Sequence, residues 1–293
     1  MKQMRILFAA LVLLSLLSGC TGQAEQPDIA ATTAPVYEFT ARLCTGTGLR
    51  VAPLITDNVS CLHDYSLDVR QVRTAEAADL IVISGAGLEE FMEDMLHDKA
   101  VIDSSEGITL LECAEPHDHE HDHHHHEHEA DSHIWLSPEN AKIMSANICK
   151  GLLSRYPEHK ALLEANLQTL LSDLDDLSNY ANSQLSGLSH RKLITFHDGF
   201  SYLALAYDLT ILKAVEEESG SEASASELKE LILLVREHQL PAIFTEVNGS
   251  VSAAELIARE TGIQIYALNM AMSGSSWFDA MYHNIDTLKE ALE

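Results

Sequence analysis

Positive charge is scarce in this 293-residue chain: 18 Lys and Arg stand against 45 Asp and Glu, a formal net charge of −27. Such a balance argues against nucleic acid, whose phosphates select for Lys and Arg patches, and suits a cationic ligand. Long apolar runs are also lacking. Ile6 to Leu17 is the longest, and twelve residues are too few to span a bilayer as a stable anchor. The cysteines show no CxxC spacing, which removes that zinc signature, and there is neither an HExxH helix nor a nucleophile elbow. Only two Trp occur, yet there are 16 His. The apolar fraction of 46% excludes a wholly disordered chain. At roughly 150 residues per domain, the length allows two domains or one large one.

Lys2 and Arg5 precede the apolar run, which ends in Leu17-Ser18-Gly19-Cys20. A basic start and a short apolar stretch make a secretory leader, and its end resembles a bacterial lipobox. That resemblance implies cleavage before Cys20, lipid on its sulfur, and an extracytoplasmic chain anchored to the cell membrane. Residues 21–34 have no apolar period and read as a tether. Four more cysteines follow, Cys44, Cys61, Cys113 and Cys149, and an even count in an oxidising compartment favours disulfides. Cys44 and Cys61 bracket a short strand-like segment, which favours their pairing and leaves Cys113 with Cys149. Buried thiols are the alternative.

Past the tether, short β-rich runs alternate with amphipathic helices, the pattern of an α/β fold. Leu80–Ile83 reads as a strand, 84–87 as a turn and 88–96 as a helix. Ser137 and Pro138 mark a helix start. From Pro157 to Leu185 one helical pattern is apolar at 163, 167, 170, 171, 174, 177, 181 and 185, too few heptads for a coiled coil. It separates two α/β halves as a connecting helix. Beyond it, strands are expected at 192–196, 209–215, 242–247 and 263–268. Helices are expected at 199–207, from the Ser224/Glu227 capping box to His238, at 250–261 stopped by Gly262, and at 277–292. The segment 216–225 reads as a solvated acidic loop. No sequence repeat links the halves.

Pro116 to Glu129 holds eight His, namely His117, His119, His121, His123, His124, His125, His126 and His128, with five acids. Without an apolar anchor, this run reads as an exposed loop offering many weak, interchangeable imidazole and carboxylate sites for Zn, Cu, Ni or Fe. A rigid site needs ligands fixed by the fold, and in open α/β sheets these gather where strands end and helices begin. His63 in Cys-Leu-His-Asp-Tyr, His133 in Asp-Ser-His-Ile-Trp and His197 after the strand 192–196 meet that condition. His97, His159 and His238 sit among charged helical residues, and His190 and His283 lack a strand-end context; all five read as ordinary histidines.

Four segments, around His63, His133 (Asp-x-His-Ile-Trp-Leu-x-Pro-Glu-Asn-Ala), His197 (Phe-His-Asp-Gly-Phe-x-Tyr) and residues 265–273, occur in an order that resembles the zinc/manganese metal-binding receptors of bacterial ABC importers. The likeness runs from about residue 36 to the C-terminus. It implies two α/β lobes joined by a long rigid helix, one metal ion between them, and partnership with a membrane permease and its ATPase. The matching division is a leader at 1–19, a lipidated tether at 20–35, a lobe at 36–156 carrying the loop 116–129, the helix 157–187 and a lobe at 188–293. The family's ligands fall on His63, His133 and His197. Three imidazoles favour Zn²⁺ over Mn²⁺ or iron. The usual fourth ligand, an Asp, is here Asn269, a weaker neutral donor. Either it coordinates poorly, water completes the site, or a loop carboxylate moves in. Glu246 at a strand end is either a ligand or a partner behind a ring, and Asp64, Asp131 and Asp198 are candidates to orient rings.

The leading expectation is a monomeric receptor, not an enzyme, that captures Zn²⁺ outside the cell. A manganese or iron receptor of the same family is the nearest alternative. Three His with an open fourth position is also the layout of a zinc hydrolase or lyase, although no general base is identifiable. A zinc store or adhesin acting through the histidine run alone completes the set.

Overall fold

The computed structural model describes residues 26–56, 62, 65–112, 130–215, 224–272 and 276–293. Cys20, Cys61, His63, Asp64, Cys113 and the histidine run at 117–128 fall outside the described residues.

The first strand, β1 (Ile29–Ala31), is wholly buried. It pairs in parallel with β2 (Val51–Pro53) on one side and β3 (Leu80–Ile83) on the other. The tether expected to reach residue 35 therefore stops short of Ile29. Three residues buried on both faces show no alternation, so an inner strand of this length leaves no periodic trace. Helix α1 (Ala34–Leu43) follows at once, with Pro35 in its first turn. Helix α2 (Val69–Ala77) opens on a capping box between Asp68 and Gln71. After β3, a 3₁₀ turn at Glu90–Met92 and the one-turn α3 (Glu93–Leu96) replace the single helix expected at 88–96. With β4 (Val101–Asp103) the sheet runs β2-β1-β3-β4, all parallel.

Ser137 caps α4 (Pro138–Arg155), its hydroxyl accepting from the Asn140 amide. A 3₁₀ turn at Pro157–His159 then separates α4 from α5 (Lys160–Leu185). At 26 residues, α5 is about 39 Å long. It buries Leu163, Leu170, Leu174, Leu177, Ala181 and Leu185, the face that the apolar spacing marks out.

The second half alternates β5 (Lys192–Thr195), α6 (Ser201–Ala206), β6 (Thr210–Ala214), α7 (Ala225–His238), β7 (Ala242–Glu246), α8 (Ser252–Thr261), β8 (Gln264–Leu268) and α9 (Trp277–Leu292). The Ser224/Glu227 capping box starts α7, and Gly262 ends α8 at φ 81°. Its sheet runs β6-β5-β7-β8, again all parallel. Both halves thus share one strand order, although no sequence repeat announces it. In each, the chain leaves its first strand toward one edge and returns to the other side. The crevice between β1 and β3, and that between β5 and β7, are the switch points where α/β sheets bind ligands.

One apolar core runs through both halves, from Ile29 through Trp135, Leu174 and Leu203 to Trp277 and Leu292. Helix α5 packs on α1, α4 and α9 and so belongs to both. The fold is two α/β halves joined by a long helix. Among the described residues, no helix is long and apolar enough to cross a membrane.

For Cys44 and Cys149 the buried-thiol alternative holds, not the preferred pairing. Cys44 and Cys149 are both free thiols inside the shared core, so neither the Cys44–Cys61 bridge nor the Cys113–Cys149 bridge is formed. Burial, reinforced by the neighbouring Cys149, pushes the Cys44 thiol up to about 12. Cys44 ends α1 and behaves as a small apolar side chain there.

Candidate metal centre

Two of the strand-end histidines meet. His197 directly follows β5 in extended backbone (φ −150°, ψ 145°), and His133 immediately precedes the 3₁₀ turn Ile134–Leu136 that leads into α4. Both side chains are buried, and their Nε2 atoms lie 3.4 Å apart with the rings at 90°. Each ring is held from behind. Asp131 Oδ1 lies 2.9 Å from Nδ1 of His133 and also accepts from the His133 backbone N–H at 2.9 Å. Glu246 Oε1, at the C-terminal end of β7, lies 3.3 Å from Nδ1 of His197. His197 and Glu246 therefore flank the β5/β7 switch point.

The carboxylates dictate the tautomer. A neutral imidazole carries one N–H, and a carboxylate oxygen beside Nδ1 places it there. With the proton on Nδ1 of both rings, the two Nε2 lone pairs face each other across 3.4 Å, an arrangement suited to a shared cation. Two nitrogens bound to one tetrahedral zinc at about 2.0–2.1 Å sit about 3.3–3.4 Å apart. The residues present fit such an ion. Among the described residues they supply two nitrogens, and no group of three His, Cys, Asp or Glu side chains assembles. His63, the remaining expected ligand, lies outside the described residues, as does Asp64.

Asn269, just beyond β8, has work elsewhere. Its Oδ1 accepts from Ala271 N–H at 2.8 Å, bracing Ala271 at φ 59°. The buried Asn284 of α9 holds both backbone groups of Asn269, accepting from its N–H at 2.7 Å and donating to its carbonyl at 2.8 Å. Asp198 starts the 3₁₀ turn after His197, and its carbonyl accepts from the Ser201 hydroxyl. His97, His159, His190, His238 and His283 stay outside this centre; His283, for instance, contacts the Ala267 carbonyl.

Several residues around the pair stand in the sequence only as parts of the motif frames, with no role of their own legible there. Trp135 lies 5.3 Å from the His133 ring, and its indole N–H donates to the Met270 carbonyl at 2.8 Å. Trp277 donates in turn to the Trp135 carbonyl at 3.0 Å. Tyr202 of α6 donates to the Asp131 carbonyl and accepts from Leu111 N–H. Together with an antiparallel bridge between Glu112 and Ala130, it pins the stem from which the histidine run departs. Gly199 sits so close to both rings that a β-carbon there would lie 2.8 Å from His197 Cδ2 and 2.9 Å from His133 Cδ2. In the sequence it is one glycine in Phe-His-Asp-Gly-Phe.

Buried histidines held on their far side by carboxylates, between two parallel sheets, define a metal-binding protein of the two-lobed α/β class. Residues 29–291 match the family described as zinc-uptake complex component A, periplasmic, and the chain belongs to that family. A relative is the high-affinity zinc uptake system protein ZnuA of Bacillus subtilis, 31% identical over 283 residues, 92% of this chain and 88% of that protein. Another is the zinc-binding lipoprotein AdcA of Streptococcus pneumoniae, 29% identical, which this chain matches over its full length while covering 62% of AdcA. Among solved structures, a crystal structure of ZnuA superposes with a TM-score of 0.78 at 30% identity, over 91% of this chain and all of that one. The Zn(II)-bound ZnuA-like domain of Streptococcus pneumoniae AdcA gives 0.76 at 27% identity, over 91% of this chain and 99% of that one.

Proposed function

We propose that this protein is the extracytoplasmic receptor of an ABC importer, capturing Zn²⁺ between its halves and delivering it to a permease driven by an ATPase. The observation that carries the reading is the His133/His197 pair, buried, 3.4 Å apart at Nε2, with a carboxylate behind each ring. Membership of a zinc-uptake family supports it. His63 is the third ligand in this reading. Water or a carboxylate is the fourth, because the Asn269 oxygen is already spent on Ala271. No bond is broken; capture is ligand exchange on the ion, and Asp131 and Glu246 keep the nitrogens aimed at it.

The remaining assignments belong to the same proposal. Lipid on Cys20 anchors a monomer to the membrane, the histidine run 117–128 gathers metal near the centre, and the lobes divide on either side of α5. The test is calorimetric titration of Zn²⁺ and Mn²⁺ into the protein and a His63/His133/His197 triple alanine variant, each with and without residues 117–128. One tight zinc equivalent that survives loss of the run and vanishes with the three imidazoles is expected. If all tight capacity left with the run, the protein would be a store and not a receptor.

A further inference from the structure

The geometry points to Met270 as the residue that limits the coordination number at this centre, and thereby selects a four-coordinate ion over a six-coordinate one. This rests on the zinc reading above and adds a residue to it. The point where a β-carbon of residue 199 would stand is 2.6 Å from Met270 Cε, 2.8 Å from His197 Cδ2 and 2.9 Å from His133 Cδ2. The Met270 methyl and both Cδ2 ring edges therefore crowd one spot, and Cδ2 is the ring atom bonded to Nε2. Gly199 and the methyl thus lie together on the Cδ2 side of both rings.

The backbone that carries this wall is braced, and its side chain is buried. Met270 is 4% exposed, and its carbonyl is held by the Trp135 indole. The residue before it is clamped by Asn284 and the one after it is held at φ 59° by Asn269. Trp135 and Phe200 extend the apolar surface beside the two rings. An octahedral site of the kind Mn²⁺ favours needs further oxygen ligands, often water, around the ion. A methyl group on one flank excludes water there and offers no oxygen. A tetrahedral zinc site needs no ligand on that side.

The test compares the full-length protein with Met270→Ala and Met270→Leu, using Co²⁺ as a spectroscopic probe beside Zn²⁺ and Mn²⁺ titrations, with a chelator masking weak sites. Wild type and Met270→Leu, which keeps the wall, should give the intense visible absorption of four-coordinate Co²⁺. Met270→Ala should give the weak spectrum of a higher coordination number and lose about tenfold or more of the zinc-over-manganese preference, about 1.4 kcal/mol. If Met270→Ala is too unstable to assay, Met270→Val shortens the side chain while keeping the core filled, and the same outcomes apply. An intense cobalt spectrum and an unchanged metal preference in the shortened variants would overturn the role of Met270 alone. Failure of wild type to bind one cobalt or zinc tightly would instead overturn the zinc reading.

Discussion

Gly199→Ala adds one methyl group at the most crowded point of the centre. Gly199 is not among the residues with positive φ, so alanine meets no backbone strain and the effect is steric. Its β-carbon would stand 2.6 Å from Met270 Cε, 2.8 Å from His197 Cδ2 and 2.9 Å from His133 Cδ2, where ordinary contact begins at 3.4 Å. Met270 Cε is the free end of a flexible side chain and yields cheaply. The rings do not, because Asp131 and Glu246 hold their far sides. Each must retreat by roughly half an ångström, about the full tolerance of a working site. Overpacking of this kind costs about 1–3 kcal/mol, and it falls where the Nε2 spacing is set. We expect zinc affinity to drop by about 10- to 100-fold, or 1.4–2.7 kcal/mol, and the metal-free protein to lose about 1–2 kcal/mol of stability. Competition against a fluorescent zinc chelator reads the first and urea unfolding the second. Wild-type zinc affinity in Gly199→Ala would refute the claim that both rings are held in place from behind.

Asp131→Asn keeps the shape beside His133 but removes the charge; loss of such a partner typically weakens metal binding by about 10- to 100-fold, measurable in the same competition assay. Leu174→Ala empties a fully buried position on α5 and should cost about 2–5 kcal/mol in urea unfolding. Glu89 is buried and accepts from the Thr32 hydroxyl and the Ser84 and Gly85 amides. Burial, aided by the Asp103 charge and opposed by those hydrogen bonds, pushes its carboxyl up to about 7. The folded state thus holds a proton that the unfolded state releases near the ordinary value of 4.5, so this contribution is complete below that value and disappears as pH rises through 7. Unfolding measured at pH 5, 6.5 and 8 should show wild type losing about 2.5 kcal/mol more than Glu89→Gln; parallel slopes would count against it.

Legibility in the sequence followed element length and context. The eighteen or more residues of α4 and α5 announced themselves through Ser137, Pro138 and the leucine spacing, because a buried helical face repeats often enough to be read. Strands β1 and β2 have three residues each and show no period, so in the sequence β1 cannot be told from the tether. His133 and His197 stood out by position, since each lies beside the start of a turn or helix. Their convergence came from the resemblance of whole segments, not from spacing along the chain. Cys44 misled because compartment and even count say nothing about which face of α1 a thiol occupies. Met270, Gly199 and Asn284 have roles that are not legible for a different reason: those roles depend on atoms brought near only by folding, from 15 residues away for Asn284 to 135 for the Met270 carbonyl.

The two indoles stitch the halves together. Trp135 lies before α5 and Trp277 after it, yet both are fully buried in one core. Their N–H groups run in sequence from Trp277 to the Trp135 carbonyl and from Trp135 to the Met270 carbonyl. Swinging the halves apart like a jaw would wet both indoles and exchange those hydrogen bonds for bonds to water. Each buried aromatic adds about 1.5–3 kcal/mol to that penalty, and each exchanged hydrogen bond about 0.5–1.5 kcal/mol. Motion by small adjustments at the strand ends avoids these costs, so release of an ion meets least resistance by rearranging the rim and leaving the seam shut.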